Sequence, residues 1–108
     1  MSSPDFLIKL NCVIDRNIAN EDFSIELLCQ QLTISYTHTY RQIKELSGLS
    51  PSRYICKRRL ACSLALLQET DLSISEISYR VGFNSLPYFS RCFSDEYGYS
   101  PLQFRKML

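Results

Sequence analysis

Between residues 41 and 59 stand six basic side chains, Arg41, Lys44, Arg53, Lys57, Arg58 and Arg59, opposed by Glu45 alone. A run of that sign attracts a polyanion. Guanidinium groups can go further, because their planar fork donates paired hydrogen bonds to a phosphate or to a base edge. A thinner second set, Arg80, Arg91, Arg105 and Lys106, stands against Asp95 and Glu96 near the C-terminus. The acids gather in residues 1–40, where Asp5, Asp15, Glu21, Asp22 and Glu26 face only Lys9 and Arg16. The formal net charge of +1 therefore hides a lopsided distribution, and local sign decides what a surface attracts.

Other chemistries find little to work with. Cys12, Cys29, Cys56, Cys62 and Cys92 are an odd set with no C-x-x-C pair, and His38 is the one histidine. Neither a zinc site nor a disulfide framework is expected, and the thiols read as small apolar residues in a reducing compartment. With no glycine-rich phosphate loop and no ligand cluster, the expectation is a non-enzyme without cofactor or metal. Hydrophobic residues at 45% and charged residues at 21% are ordinary for a soluble globular chain. No apolar run approaches the roughly 20 residues of a membrane span and no signal peptide opens the chain, which predicts a cytoplasmic protein without membrane contact.

The elements that must carry the basic side chains are helices. Phe6, Leu7, Leu10, Val13, Ile14 and Ile18 form one apolar stripe at helical spacing over residues 4–19. Residues 24–31 read as a short helix with Ile25, Leu28 and Leu32 inward, and Thr33-Ile34 as a tight connection. Ser35 caps a third helix that stops at Gly48. Pro51 starts a long fourth helix ending near Thr70, apolar along Leu60, Leu64, Leu66 and Leu67. Ser73 with Glu76 is a capping-box signature for a fifth helix, ended by Gly82. Ser85 caps a sixth, closed by Gly98, and Pro101 opens a seventh. Phe83, Phe89, Phe93, Tyr97 and Phe104 fall at core spacing in this half. A shift of 50 residues superposes Glu26 on Glu76, Ser35 on Ser85, Arg41 on Arg91, Gly48 on Gly98 and Ser50-Pro51 on Ser100-Pro101. These identities sit at caps, at helix ends and at one basic position in mid-helix, so the chain reads as two copies of one helical unit.

Each copy is a short helix, a tight turn and a longer serine-capped helix carrying an arginine: the helix-turn-helix arrangement, whose second helix lies in the major groove. A helix of about 10–12 Å fits a groove about 12 Å wide. The exposed amides behind Ser35 and Ser85 suit a phosphate. The fourth helix, about 27 Å long at about 1.5 Å per residue, could hold two reading helices in groove segments about 34 Å apart. The expected fold is all-α, about seven helices in two helix-turn-helix subdomains. These cover about 4–50 and about 70–108, joined by a linker helix over about 51–69 within a single domain.

Residues 73–105, SISEISYRVGFNSLPYFSRCFSDEYGYSPLQFR, closely resemble the signature of the AraC/XylS family of transcription regulators. The I-x-E-I, V-G-F, YFSRCF and G-x-S-P-x-x-F-R elements stand in that family's order. Upstream, TYRQIKELSGLSPSRYI and RRLACSLALLQET resemble its first recognition helix and linker helix, so the likeness covers roughly residues 6–106. The opening FLIKLNCVIDRNIANEDFSIELLCQQL resembles the version attached to two-component sensor-regulators of gut Bacteroidetes.

The resemblance implies sequence-specific binding of double-stranded DNA by a bacterial, nucleoid-associated activator. It further implies contact with RNA polymerase and an N-terminal sensing or dimerisation domain, the start at Met1-Ser2-Ser3 reading as that of an excised C-terminal piece. By position it places base contacts at Thr37, Tyr40, Arg41, Leu86, Pro87 and Arg91. Arg41 and Arg91 are suited to guanine O6 and N7. Tyr40 would meet a thymine methyl, bond a phosphate or cover the domain's own core. Ser35, Ser85, Lys44, Arg53, Lys57 and Arg58 are the phosphate candidates, and Arg59 matches a position whose arginine is structural in that family. Pro87 stands where relatives often have a polar reader, Leu86 offers only apolar contact, and Ser94 and Asp95 replace residues commonly basic, so the second unit would read more softly, through Arg91, thymine methyls and DNA shape. The competing expectation is a helical protein-interaction module with weak or lost DNA binding, kept open by the small net charge and the Leu86-Pro87 pair.

Overall fold

The computed structural model describes residues 4–108; Met1 to Ser3, which the sequence reads as the start of an excised piece, lie outside the described residues. Among the described residues are seven α-helices and no strand. They are α1 (Pro4–Arg16), α2 (Ile25–Leu32), α3 (Tyr36–Ser47), α4 (Pro51–Glu69), α5 (Ile74–Arg80), α6 (Leu86–Tyr97) and α7 (Pro101–Lys106).

Every helix from α2 to α7 begins behind a serine, and in each case the hydroxyl accepts a hydrogen bond from the third helical amide. The donors are Leu27, His38, Arg53, Glu76, Tyr88 and Gln103, at 3.1–3.4 Å. Each such cap stabilises its helix by about 1 kcal/mol, satisfying an amide that has no partner inside the helix. The reciprocal half of a capping box forms at Ser100, whose amide donates to Gln103 Oε1. At Ser73 the glutamate instead meets the serine hydroxyl at 3.5 Å. α3 and α6 end on Gly48 (φ +76) and Gly98 (φ +81), and a Cβ at either would meet open space. Glycine is there for the left-handed backbone, not for room. α1 stops at Arg16, short of the apolar pattern's end, because Asn17 turns its side chain back to the Val13 carbonyl (2.7 Å) and donates to Gln31 Oε1 (2.9 Å).

The chain forms two compact units, and the division falls inside α4, between Arg58 and Arg59. The first unit has a core of Leu10, Val13, Ile14, Phe23, Leu28, Leu32, Ile43 and Ile55. Phe23, just before the Ser24 cap, and Leu28, one turn into α2, share that core in the manner of a hydrophobic staple. Tyr54 packs on its edge and donates from Oη to Asn11 Oδ1 at 2.7 Å, tying α4 to α1. The second unit, Arg59–Leu108 with Ala19–Glu21, is built on linked aromatic rings. Phe83 meets Phe89 at 5.1 Å, Phe89 meets Phe93 at 5.9 Å, and Phe93 meets Tyr97 and Phe104 at 4.7 and 5.8 Å, the last two edge-on. Phe89 and Phe93 are fully buried.

The repeat is real in its second helices and slips by one in its first. α3 and α6 match at a shift of 50 residues, cap to cap. The buried residues of α2, Leu28, Cys29 and Leu32, correspond to Ile77, Ser78 and Val81, a shift of 49. The caps Ser24 and Ser73 obey the same shift, as do the turn-closing bonds Ile34 N–H to Cys29 O and Phe83 N–H to Ser78 O. Glu26 is therefore the counterpart of Ser75, and its match to Glu76 is an accident of a uniform shift. The extra residue is Asn84, which lengthens the second turn just before the Ser85 cap.

Candidate nucleic-acid interface

α3 buries Thr39, Gln42 and Ile43 and turns Tyr36, Thr37, Tyr40, Arg41, Lys44 and Glu45 outward. Those six line a shallow depression of about 420 Å³ along the helix. Tyr36 and Tyr40, one turn apart, stack with centroids 6.3 Å apart and planes at 27°. Tyr40 thus belongs to the outward face and not to the core. The side chains of Arg41 and Lys44 make no hydrogen bond or ion pair among the described residues, which leaves their donors for an external acceptor. At the start of the helix Ser35 spends its hydroxyl on the His38 amide (3.1 Å). The amides of Tyr36 and Thr37 remain outside the helical ladder, at the positive end of the dipole.

The basic run in α4 separates by role. Arg53 and Lys57 are exposed and lie one turn apart on the same helix face. Arg58 points elsewhere: its Nη2 bonds both oxygens of Asp15, at 2.9 and 2.7 Å. A guanidinium held in this way has its charge matched at home, so Arg58 is not carried into the interface with the other phosphate candidates. Within the second unit Arg59 donates from Nη2 to the Asn20 carbonyl at 2.8 Å, a structural bond that agrees with its expected role.

α6 has the same frame and a different surface. It buries Phe89 and Phe93, leaves Pro87, Tyr88 and Arg91 exposed and Leu86 half-buried. Ser85 accepts from the Tyr88 amide, and Pro87, at the second helical position, has no N–H to offer. Its start therefore presents one free amide fewer than α3 does. Arg91 lies with Cζ 5.7 Å from the centroid of the Tyr88 ring.

A helix-turn-helix domain family matches residues 28–107. The fold is also that of a transcriptional regulator with an AraC-type DNA-binding domain from Chromobacterium violaceum, with a TM-score of 0.86 at 29% identity over 93% of this chain and 88% of that one. The chain belongs to the AraC-type helix-turn-helix family. Two relatives are 36% identical: a histidine kinase of Formosa agariphila over 93 residues, and the HTH-type transcriptional activator RhaS of Salmonella arizonae over 86. They match 86% and 80% of this chain, which spans only 7% and 31% of their lengths.

For this AraC-type domain, three features escaped the sequence reading. Tyr36 and Tyr88 are exposed on the outward faces of α3 and α6, at helical spacing from Tyr40 and Arg91 respectively. That spacing was the available signal. Arg105 joins no surface set: its guanidinium donates to the carbonyls of Leu67, Thr70 and Leu72, pinning α7 to the turn that follows α4. Among the described residues no group of three His, Cys, Asp or Glu could hold a metal ion, and no helix is long and apolar enough to cross a membrane. No disulfide joins cysteines among the described residues; Cys29 is buried, Cys12 exposed, and Cys56, Cys62 and Cys92 half-buried.

Proposed function

We propose that this domain binds double-stranded DNA sequence-specifically as the output part of a transcription regulator, with α3 and α6 as its reading helices. One observation carries the reading. Arg41 and Arg91 occupy the same position in two helices that share caps, length and buried face, and both are exposed on the outward side. In the first unit Thr37, Tyr40 and Arg41 meet base edges. The Tyr36 and Thr37 amides behind Ser35, with Lys44, Arg53 and Lys57, meet phosphates. In the second unit Arg91 reads a base, Leu86 and Pro87 offer apolar contact to thymine methyls, and the Leu86 amide behind Ser85 meets a phosphate. The two helices occupy adjacent major-groove segments, so the footprint exceeds one helical turn, about 10 base pairs.

The same proposal covers the rest of the regulator. The short share of its relatives that the chain spans supports a longer cytoplasmic protein with a sensing or dimerisation part, one that activates through RNA polymerase. The relationship to a histidine kinase favours a two-component setting.

The test is selection of bound duplexes from a random pool, followed by titration of Arg41→Ala and Arg91→Ala. Each substitution is expected to weaken the selected site by about 1–3 kcal/mol and relax one base position. Wild-type protein that binds no duplex at low salt would refute the reading and leave a protein-interaction module in its place.

A further inference from the structure

We infer that Tyr88 is a positioning residue for base reading by the second unit, holding the guanidinium of Arg91 over its ring so that the edge donors stay free for one guanine. The inference rests on the DNA reading above and concerns how that reading is achieved where polar readers are scarce.

Tyr88 sits on the first turn of α6, its amide donating to the Ser85 cap, and is 47% exposed. Its ring packs on Phe83, 5.9 Å away at 57°, and Phe83 is itself buried and packed on Phe89. The ring is thus held from the core side by a residue of the turn that orients the reading helix. Arg91 lies three residues on, over this ring. Cation–π attraction uses the face of the ring. The attraction takes no hydrogen bond from the guanidinium's fork, so an arginine held over a tyrosine keeps N–H donors for the paired acceptors O6 and N7 of guanine.

α3 does without this device. The counterpart of Tyr88 there is His38, and no ring contact to Arg41 is found among the described residues. Arg41 instead has Thr37, Tyr40 and Lys44 as polar neighbours on its face. α6 carries Pro87, Ser90 and Ser94 at those positions. With fewer partners to share the discrimination, more of it falls on Arg91. An arginine already limited to few rotamers loses less entropy when it binds.

The test uses the whole chain and the duplex recovered by selection. Tyr88→Leu is expected to weaken that duplex about two- to fivefold, the range for an exposed cation–π pair. The loss should be confined to one base position, the one relaxed by Arg91→Ala, with affinity for an unrelated duplex unchanged. Tyr88→Phe keeps the ring and should behave as wild type. Fluorinated phenylalanines at position 88 keep its shape and drain the ring face of charge, so affinity should fall stepwise with fluorine count; these variants decide the matter if Tyr88→Leu folds poorly. In an Arg91→Ala background all the position 88 effects should vanish. Effects that persist there, loss of affinity in Tyr88→Phe, or an affinity indifferent to fluorination would overturn the inference while leaving DNA binding intact. A wild-type protein that binds no duplex would overturn both, which separates the two failures.

Discussion

The division of labour within the basic run can be tested through salt. On the proposed interface Lys44, Arg53 and Lys57 each neutralise a phosphate and displace a counterion, while Arg58 is matched by Asp15 and displaces none. With each contact contributing about 0.9 to the slope of log K against log salt, about three contacts give a slope of about −2.7. Between about 50 and 200 mM salt, affinity should then fall by a factor of about 40. Removing Lys44 as Lys44→Ala should make the slope shallower by about 0.9, so the same salt change would cost a factor of about 12. Arg58→Ala should leave the slope where it was. Its cost falls on stability instead, and stays within about 1 kcal/mol because the pair is 33% and 47% exposed and solvent-screened. Fluorescence anisotropy on a labelled duplex at four or five salt concentrations, with a urea melt of each variant, measures both quantities. An Arg58→Ala slope as shallow as that of Lys44→Ala would refute the assignment, as would a wild-type slope weaker than about −2.

Other expectations concern the frame that holds the reading helices. Thr33 is the one non-glycine with positive φ (59°) among the described residues, in the position that Gly82 fills in the second unit. The left-handed conformation costs a β-branched residue about 1–2 kcal/mol and glycine's extra unfolded-state freedom about 0.5–1, so Thr33→Gly should raise stability by about 0.5–1 kcal/mol in chemical denaturation. Arg105→Ala removes a guanidinium from three carbonyls and should destabilise the second unit by about 2 kcal/mol, read as a lower urea midpoint, with wild-type duplex affinity in conditions where the variant stays folded. Phe93→Ala empties the centre of the aromatic chain, where Phe89, Tyr97 and Phe104 all converge, and should cost about 3–5 kcal/mol in the same assay.

The seven helices were legible because their ends are written in local chemistry: a serine before each helix from α2 on, glycine after α3 and α6, proline opening α4 and α7. Such signals act within a turn of the chain and survive any tertiary arrangement. The partnership of Arg58 with Asp15 is of another kind, since the two stand 43 residues apart and meet only once α1 and α4 have folded together. A count of basic residues treats Arg58 and Arg53 alike, whereas their places on the helix send one to an acid and leave the other exposed. The end of α1 was lost for a similar reason. The apolar pattern runs on to Ile18, and the side chain of Asn17, anchored at Val13 and Gln31, stops the helix first.

The slip of the repeat bears on function as well as on bookkeeping. If the two units were rigid copies, an extra residue before α6 would rotate its reading face, since one residue turns a helix by about 100°. Asn84 enters the turn and not the helix, and the Ser85 cap restarts the count, so Arg91 emerges at the same helical position as Arg41. The turn absorbs the insertion at Asn84, after Gly82 (φ 93°) has taken the left-handed place of Thr33 (φ 59°) and Phe83 has donated its amide to Ser78 as Ile34 does to Cys29. Phe83 is also the residue on which Tyr88 rests. The longer turn thus delivers a large buried ring beneath the first turn of α6, where the shorter one delivers Ile34. On the proposed reading, α6, with Leu86 and Pro87 where α3 has Tyr36 and Thr37, sets its one arginine on a firmer seat, and the two features belong to the same stretch of chain.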